Sequence, residues 1–406
     1  MSEFCKIIEG EIAEGENISI IRLVDELIKH AISVNASDIH IDPSEKNIRI
    51  RFRVDGALED MCTLPKEIHG EIISRIKILS GLRTDEHNAA QDGRFRSMLE
   101  EGRSVDIRVS VVPTYHGENT VLRLLTDHSE NYTLDMLGFS KEDQVKILNA
   151  IKKPTGMILV TGPTGSGKTT TLYTLLKILD SKEISIITIE DPIEYAVNGI
   201  EQIQVNSRTG LTFANGLRSI LRQDPNVIMV GEIRDTETAS IAVNTALTGH
   251  LLLSTLHTND ASTTLPRLLD MKIEPFLVSS TVSIAIGQRL VRKICEKCKV
   301  QKTLNDEEYL HLGEVISEKV LAGNRKFFVG KGCDICNQSG YKGRIVIDEV
   351  LVADDEIRNA ILLKASSADI KHIAINNGMN TMLVDGVNKA KIGLTTIEEV
   401  LRVTYE

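Results

Sequence analysis

Apolar residues at Ile20, Ile21, Val24, Leu27, Ile28 and Ala31 fall on one face of a 3.6-residue period, which predicts an amphipathic helix over Ser19–Val34. The period then changes to two. Ile48, Ile50, Phe52 and Val54 alternate with Arg49, Arg51, Arg53 and Asp55, and Asp55-Gly56 supplies a turn. A second alternation (Val105, Ile107, Val109, Val111) and the run Thr120–Leu125 complete an α+β domain over residues 19–125, preceded by a leader, 1–18. The polar, aperiodic stretch that follows is the expected linker, 126–134.

Beyond it the apolar positions become continuous. Met157–Thr161, Ile184–Ile189, Val227–Val230 and Leu251–Leu256 are short apolar runs separated by helical patterns. Such runs describe a parallel sheet covered on both faces, so residues 135–290 are expected to form an α/β domain. Residues 291–345 read irregularly around four cysteines, and 346–406 form a region that is helical from Asp355. No internal repeat or low-complexity tract interrupts this order.

Composition narrows the class of protein. The 406 residues are 42% hydrophobic and 26% charged, with a net charge of −10 and no long apolar span or signal-like amino terminus, which predicts a cytosolic chain of two or three domains. The acidic balance and 4% aromatic content weigh against a polyanion as main partner. Cys5 and Cys62 are unpaired by spacing. The other cysteines form two CxxC pairs, which in a reducing compartment read as metal ligands or a redox motif.

The run Met157–Thr161 leads into Gly162-Pro163-Thr164-Gly165-Ser166-Gly167-Lys168-Thr169, which fits G-x-x-x-x-G-K-[ST] between a strand and a helix. In that context backbone amides cradle phosphates, the helix amino terminus adds its dipole, Lys168 reaches the β/γ-phosphates and Thr169, with Thr170 beside it, stands at the magnesium position. ATP and Mg2+ are the expected ligands. Hydrolysis needs a carboxylate near the phosphates, and two strands end in them: Glu190, Asp191 and Glu194 after one, Glu232 after the next. These either act on magnesium and water or merely cap helices. His257, ending the run Leu251–Leu256, is either a sensor of the γ-phosphate or a satisfied polar cap, and His250 lies at the run's opposite end.

GPTGSGKT, IEDPIEY, VGEIRD and GHLLLSTLHT, in that order, resemble the Walker A, Asp box, atypical Walker B and His box of the secretion ATPase superfamily. ASDIHIDP (36–43), RIRFRVDG (49–56), QDGR (91–94) and the stretch Gly378–Thr404 extend the resemblance over nearly the whole chain. It implies a RecA-like P-loop ATPase domain behind a PAS-like α+β domain, assembled as a homo-hexamer. It also implies that Glu194 polarises water, Glu232 is the catalytic carboxylate and His257 contacts the γ-phosphate.

Family arginines approach nucleotide held by a neighbouring subunit. Arg49, Arg51 and Arg53 share a strand face and read, without the family, as a solvated face; with it, Arg53 and Arg94 become candidate fingers. Arg218 and Arg222, four apart on an expected helix that also carries Leu217, Ile220 and Leu221, are further candidates. Cys295, Cys298, Cys333 and Cys336 suit a tetrahedral Zn2+ better than a redox role, which needs only one reactive pair. Within the family, that module resembles ATPases of type II secretion and type IV pilus assembly. Such motors drive an inner-membrane platform protein from the cytoplasmic side, and commonly carry a further amino-terminal docking domain where this chain has the 18-residue leader. The rival reading is a nucleic-acid translocase of the RecA-like ring class.

Overall fold

The computed structural model describes residues 19–98, 104–125 and 132–405. The leader 1–18, with Cys5, and residues 126–131 of the expected linker lie outside the described residues. The chain divides into two compact units, 1–129 and 130–406.

The first unit is a six-stranded antiparallel sheet made of β1 (Ala36–Pro43), β2 (Asn47–Val54), β3 (Ala57–Pro65), β4 (Gln91–Met98), β5 (Ser104–Thr114) and β6 (Gly117–Leu125), in the order β3-β2-β1-β6-β5-β4. Helices Ile20–Ser33 and His69–Ser80 share one apolar core with it: Leu23, Val24, Leu27 and Ile28 pack with Ile39, Ile48, Phe52, Ile72, Ile107 and Leu122. Ser19 begins the first helix by accepting from the Arg22 amide. The other face of the sheet is polar, as the alternation on β2 requires.

The second unit is built on a seven-stranded sheet of β7 (Gly156–Thr161), β8 (Ile186–Glu190), β9 (Glu201–Gln204), β10 (Val227–Val230), β11 (Leu251–Leu256), β12 (Val282–Ile294) and β15 (Tyr341–Val352), ordered β15-β12-β7-β11-β10-β8-β9. Every residue of β7, β8, β10 and β11 is buried. Alternate residues of β7 enter different cores, Met157 and Leu159 one and Ile158 and Val160 the other, so both faces are covered and an uninterrupted apolar run results.

Two expected boundaries change. The sheet is mixed, because β15 runs antiparallel to β12 from Tyr341–Ile294 to Val352–Ile284. Divisions at 290/291 and 345/346 therefore cut through two strands whose hydrogen bonds hold them in the larger sheet. The cysteine segment is an excursion between those strands: β13 (Lys299–Thr303) and β14 (Lys326–Gly330) pair with each other. Leu304, Leu312, Ile316 and Phe327 of this excursion bury against Val387, Ala390, Ile397 and Val400 of the carboxyl-terminal helices. Those helices, Met382–Lys391 and Ile397–Tyr405, also fasten to the sheet through Glu399, which accepts from the Arg292 amide at 3.1 Å and its guanidinium at 2.7 Å.

Candidate functional site

The carboxyl ends of β7, β11, β10 and β8 lie side by side, with Thr161 opposite Leu256, Ser254 opposite Val230 and Ile189 opposite Val230. This edge collects the phosphate loop, Glu232 and His257. The loop Gly162–Gly167 leaves β7 there and enters helix Lys168–Leu179. Gly162 has φ +143°, and a Cβ on it would lie 2.3 Å from the Gln288 carbonyl oxygen. Gly165 and Gly167 are also left-handed, at +79° and +88°. The loop is thus closed by backbone that no side chain other than hydrogen permits at Gly162. Pro163, Thr164 and Gly165 are exposed, and Thr169 and Thr170 are half-buried on the first helical turn.

Lys168 curls over the loop and donates to the carbonyls of Gly162 (2.8 Å) and Pro163 (3.0 Å). Burial holds its ammonium below the ordinary lysine range, and the Glu232 carboxylate opposes that shift. The Ser166 hydroxyl is buried with no hydrogen-bond partner among the described residues. A narrow glycine cradle, a helix amino terminus, a buried lysine and an orphaned hydroxyl form a donor set that fits phosphate.

Glu232 follows β10 and is largely buried. It accepts from His257 Nε2 at 3.0 Å and pairs with Arg234 Nε at 2.5 Å. Its backbone is fixed by the neighbouring strand: Thr255 Oγ1 donates to the Gly231 carbonyl at 2.8 Å, and the Ile233 amide donates to Thr255 O at 3.0 Å. His257 is half-exposed, and its neighbour Thr258 donates its amide to Thr161 Oγ1 at 3.1 Å. The residue that opens the phosphate loop is therefore bonded to the residue after the histidine. His250, at the opposite end of β11, approaches Thr245 O and takes no part in this edge.

Glu190 faces inward. Its carboxylate accepts from Thr188 (2.6 Å), Gln202 (3.1 Å) and the Tyr173 hydroxyl, all in the interior. Burial and that carboxylate push the Tyr173 phenol far above its ordinary range, so it stays a donor. The expectation that Glu190 meets the nucleotide is corrected: its acceptor sites are engaged by interior donors, and it braces the phosphate-loop helix against β8. Asp191 and Glu194 remain exposed on the loop beyond, and the Glu194 backbone amide bonds to Tyr173.

The arginines separate into different surroundings. Arg49, Arg51 and Arg53 lie on one face of β2 as expected, each beside a carboxylate: Asp60 (2.5 Å), Asp42 (2.7 Å) and Asp38 (3.6 Å). Strand register places Arg53, Asp38, Arg123, Arg108 and Arg94 in one row across β2, β1, β6, β5 and β4. Arg94, Arg108 and Arg123 line a concavity of about 540 Å³ together with Asp92 and Ser110. Arg108 and Arg123 were missed in the sequence, where only register could have aligned them with Arg94. The expected helix bearing Arg218 and Arg222 is shorter, Phe213–Ile220, so Arg222 lies past its end, donating to Arg218 O at 2.9 Å. Arg218 pairs with Glu237 at 2.7 Å.

Cys295, Cys298, Cys333 and Cys336 converge, with Sγ–Sγ separations of 3.8 Å (295–333), 3.8 Å (298–336) and 3.7 Å (333–336). Four sulfurs at about 2.3 Å from a common zinc would sit about 3.8 Å apart, so the cluster fits a tetrahedral ion. The amides of Cys333 (3.2 Å) and Gly340 (3.3 Å) donate to Cys336 Sγ, as they would to a thiolate. Gly340 lies so close to Gly330 that a Cβ on Gly330 would meet its carbonyl at 2.0 Å. That approach closes the segment carrying the second knuckle, and the amides of Cys295, donating to Gly340 O (3.0 Å), and Lys331, donating to Cys298 O (3.1 Å), hold the first knuckle beside it.

Among the described residues no helix is long and apolar enough to cross a membrane. The profile of the family described as "Type II/IV secretion system protein" matches residues 13–402. The type IV pilus assembly ATPase PilB of Thermus thermophilus is 47% identical over 385 residues, spanning 95% of this chain and 43% of that protein. The type II secretion system protein E of Xanthomonas campestris pv. campestris is 46% identical over 391 residues, 95% of this chain and 68% of that protein. The chain thus spans from under half to about two thirds of the length of these relatives. Among solved structures, the Legionella pneumophila ATPase DotB superposes with a TM-score of 0.68 at 23% identity over 94% of this chain and 95% of that one, which speaks for the fold alone. The pilus retraction motor PilT with bound ADP superposes with a TM-score of 0.61 at 27% identity over 94% of this chain and 97% of that one. With a cradle for phosphate, a carboxylate and a histidine at its edge, and this similarity along nearly its full length, the chain belongs to the type II/IV secretion system protein family.

Proposed function

We propose that this chain is an ATPase that turns hydrolysis into motion within a hexameric ring, driving assembly of a type IV pilus or a type II secretion pseudopilus. The observation that carries the reading is Glu232, buried between the electrostatic reach of Lys168 and the imidazole of His257 at the rim of the phosphate loop. Residues 162–170 hold the triphosphate, Lys168 exchanging its loop carbonyls for phosphate oxygens. Magnesium, held through Thr169, would neutralise phosphate charge. Glu232 supplies the carboxylate beside the reacting phosphate, and Glu194, on the exposed loop after β8, polarises the attacking water. His257 Nε2 shares its hydrogen bond between Glu232 and a γ-phosphate oxygen, a contact that hydrolysis removes and that makes the imidazole a sensor of nucleotide state.

Arg53 and Arg94 are the proposed fingers toward a neighbouring subunit's nucleotide, with Arg218 and Arg222 as further candidates. Zn2+ in the four-cysteine cluster would cross-link β12 to β15 beyond the sheet. The ring would work at the cytoplasmic side of the inner membrane, on a platform protein and associated assembly proteins. The test is specific ATPase activity against protein concentration across the range where native mass spectrometry detects assembly. Activity per subunit that climbs with assembly supports completion of the site by a neighbour. High, flat activity from a monomer overturns the ring motor.

A further inference from the structure

The phosphate loop is held by a residue that lies in none of the nucleotide-binding motifs. Gln288, in the middle of β12, is fully buried, and its side-chain amide reaches both arms of the cradle: Nε2 donates to the Ser166 carbonyl at 2.8 Å, and Oε1 accepts from Thr171 Oγ1 at 2.9 Å. Ser166 is inside the loop, and Thr171 is one turn into the helix that follows it. One side chain from a strand 122 residues away therefore fixes the loop's backbone relative to its helix.

Glycines of the cradle pack directly against it. Its own carbonyl oxygen lies 2.3 Å from where a Cβ of Gly162 would be, and its Nε2 lies 3.3 Å from where a Cβ of Gly167 would be. Two of the three left-handed glycines of the cradle thus lie against Gln288. An amide is the group this position requires, because one end must donate to a carbonyl and the other must accept from a hydroxyl. A leucine fills similar volume and does neither; an ionised glutamate accepts at both ends and sets an oxygen against Ser166 O.

We infer that Gln288 is a positioning residue for nucleotide binding: it holds the Ser166 peptide so that the loop amides converge on the phosphates, without touching the nucleotide itself. The inference rests on the phosphate loop being the nucleotide site. β12 pairs with β7 through Gly287–Thr161, so the strand carrying Gln288 is hydrogen-bonded to the residue that opens the loop. The bond to Ser166 acts only through backbone direction, and its loss should therefore weaken ADP and ATP alike.

The experiment measures binding of a fluorescent ADP and a fluorescent ATP analogue, in magnesium buffer, to the full chain and to Gln288→Leu, Gln288→Glu and Thr171→Val. Leaving a buried carbonyl without its donor should weaken both nucleotides in Gln288→Leu by about tenfold or more. Thr171→Val, which leaves the Ser166 bond in place, should lose less. Gln288→Glu supplies a signature that simple destabilisation lacks: a protonated carboxyl donates to Ser166 O while accepting from Thr171, whereas the carboxylate cannot donate. Its affinity relative to the wild type should therefore recover as pH falls from 8 toward 5.5. If the wild type binds and all three variants bind within twofold of it, or if the Gln288→Glu deficit is the same at every pH, the inference is overturned. If the wild type binds neither nucleotide, the nucleotide-site reading itself fails and Gln288 with it.

Discussion

Glu399→Gln tests how the carboxyl-terminal layer is fastened to the sheet. Glu399 is buried and accepts four hydrogen bonds, from the Arg292 amide (3.1 Å), Arg292 Nη2 (2.7 Å), Arg402 Nε (3.0 Å) and Arg402 Nη2 (2.9 Å). Burial alone would raise its carboxyl; the two guanidinium partners overcome that and hold it down to about 2 from the ordinary 4.5. At about 1.4 kcal/mol for each tenfold change in acid strength, this corresponds to about 3 kcal/mol of stability at neutral pH. Glutamine keeps the volume and one acceptor but strands Arg292, which already stacks 4.1 Å from the Tyr341 ring. Thermal unfolding followed by circular dichroism should show a midpoint lowered by about 6 °C or more at pH 7. A carboxyl with a depressed native value stabilises above its unfolded value and loses that contribution as pH falls through the native one. The gap between wild type and variant should therefore be full above pH 5 and shrink to about half by pH 3. A gap unchanged from pH 7 to pH 3, or below about 0.5 kcal/mol throughout, would refute the electrostatic account of this joint.

Gly162→Ala should abolish nucleotide binding in equilibrium titrations, because the new methyl group meets the Gln288 carbonyl at 2.3 Å and the φ of +143° is one that residues with a Cβ rarely adopt; binding within a few-fold of wild type would show that the loop adapts. Metal analysis of freshly purified protein should find about one zinc per chain, and Cys336→Ser should lower both the zinc content and the thermal midpoint. A zinc-free protein with four titratable thiols and unchanged stability would remove the ion from the account. Tyr173→Phe strips Glu190 of a buried donor and should cost about 1–3 kcal/mol of stability in urea unfolding; a neutral result would mean that Thr188 and Gln202 satisfy Glu190 alone.

What the sequence made legible was local. The phosphate loop is contiguous, and the buried strands at its edge announce themselves as apolar runs because both faces of β7, β8, β10 and β11 are covered. Glu232 and His257 could each be placed at this edge because each closes an apolar run, but their hydrogen bond to one another needed the adjacency of β10 and β11. Gln288 and Tyr173 escaped because nothing near them in the chain distinguishes them from core positions; their partners, Ser166 and Glu190, come from other elements. β15 was cut by the expected boundary because its first four residues, Tyr341–Arg344, are half-buried or exposed, and burial begins only at Ile345. The arginine row needed the register of five strands, since Arg94, Arg108 and Arg123 stand 14 and 15 residues apart with no periodicity to join them. Arg222 was misplaced by extending helical spacing past Ile220, where the helix ends.

The most direct test of the central claim is ATP turnover by Glu232→Gln, compared with its nucleotide affinity. The substitution keeps the shape of the side chain beside His257 and Lys168 while removing its charge. The account expects ATP to bind with affinity near that of the wild type and hydrolysis to fall by about a hundredfold or more. Turnover within a few-fold of wild type in a protein that binds ATP normally would contradict the assignment of Glu232, and with it the reading of this strand edge as a hydrolytic site.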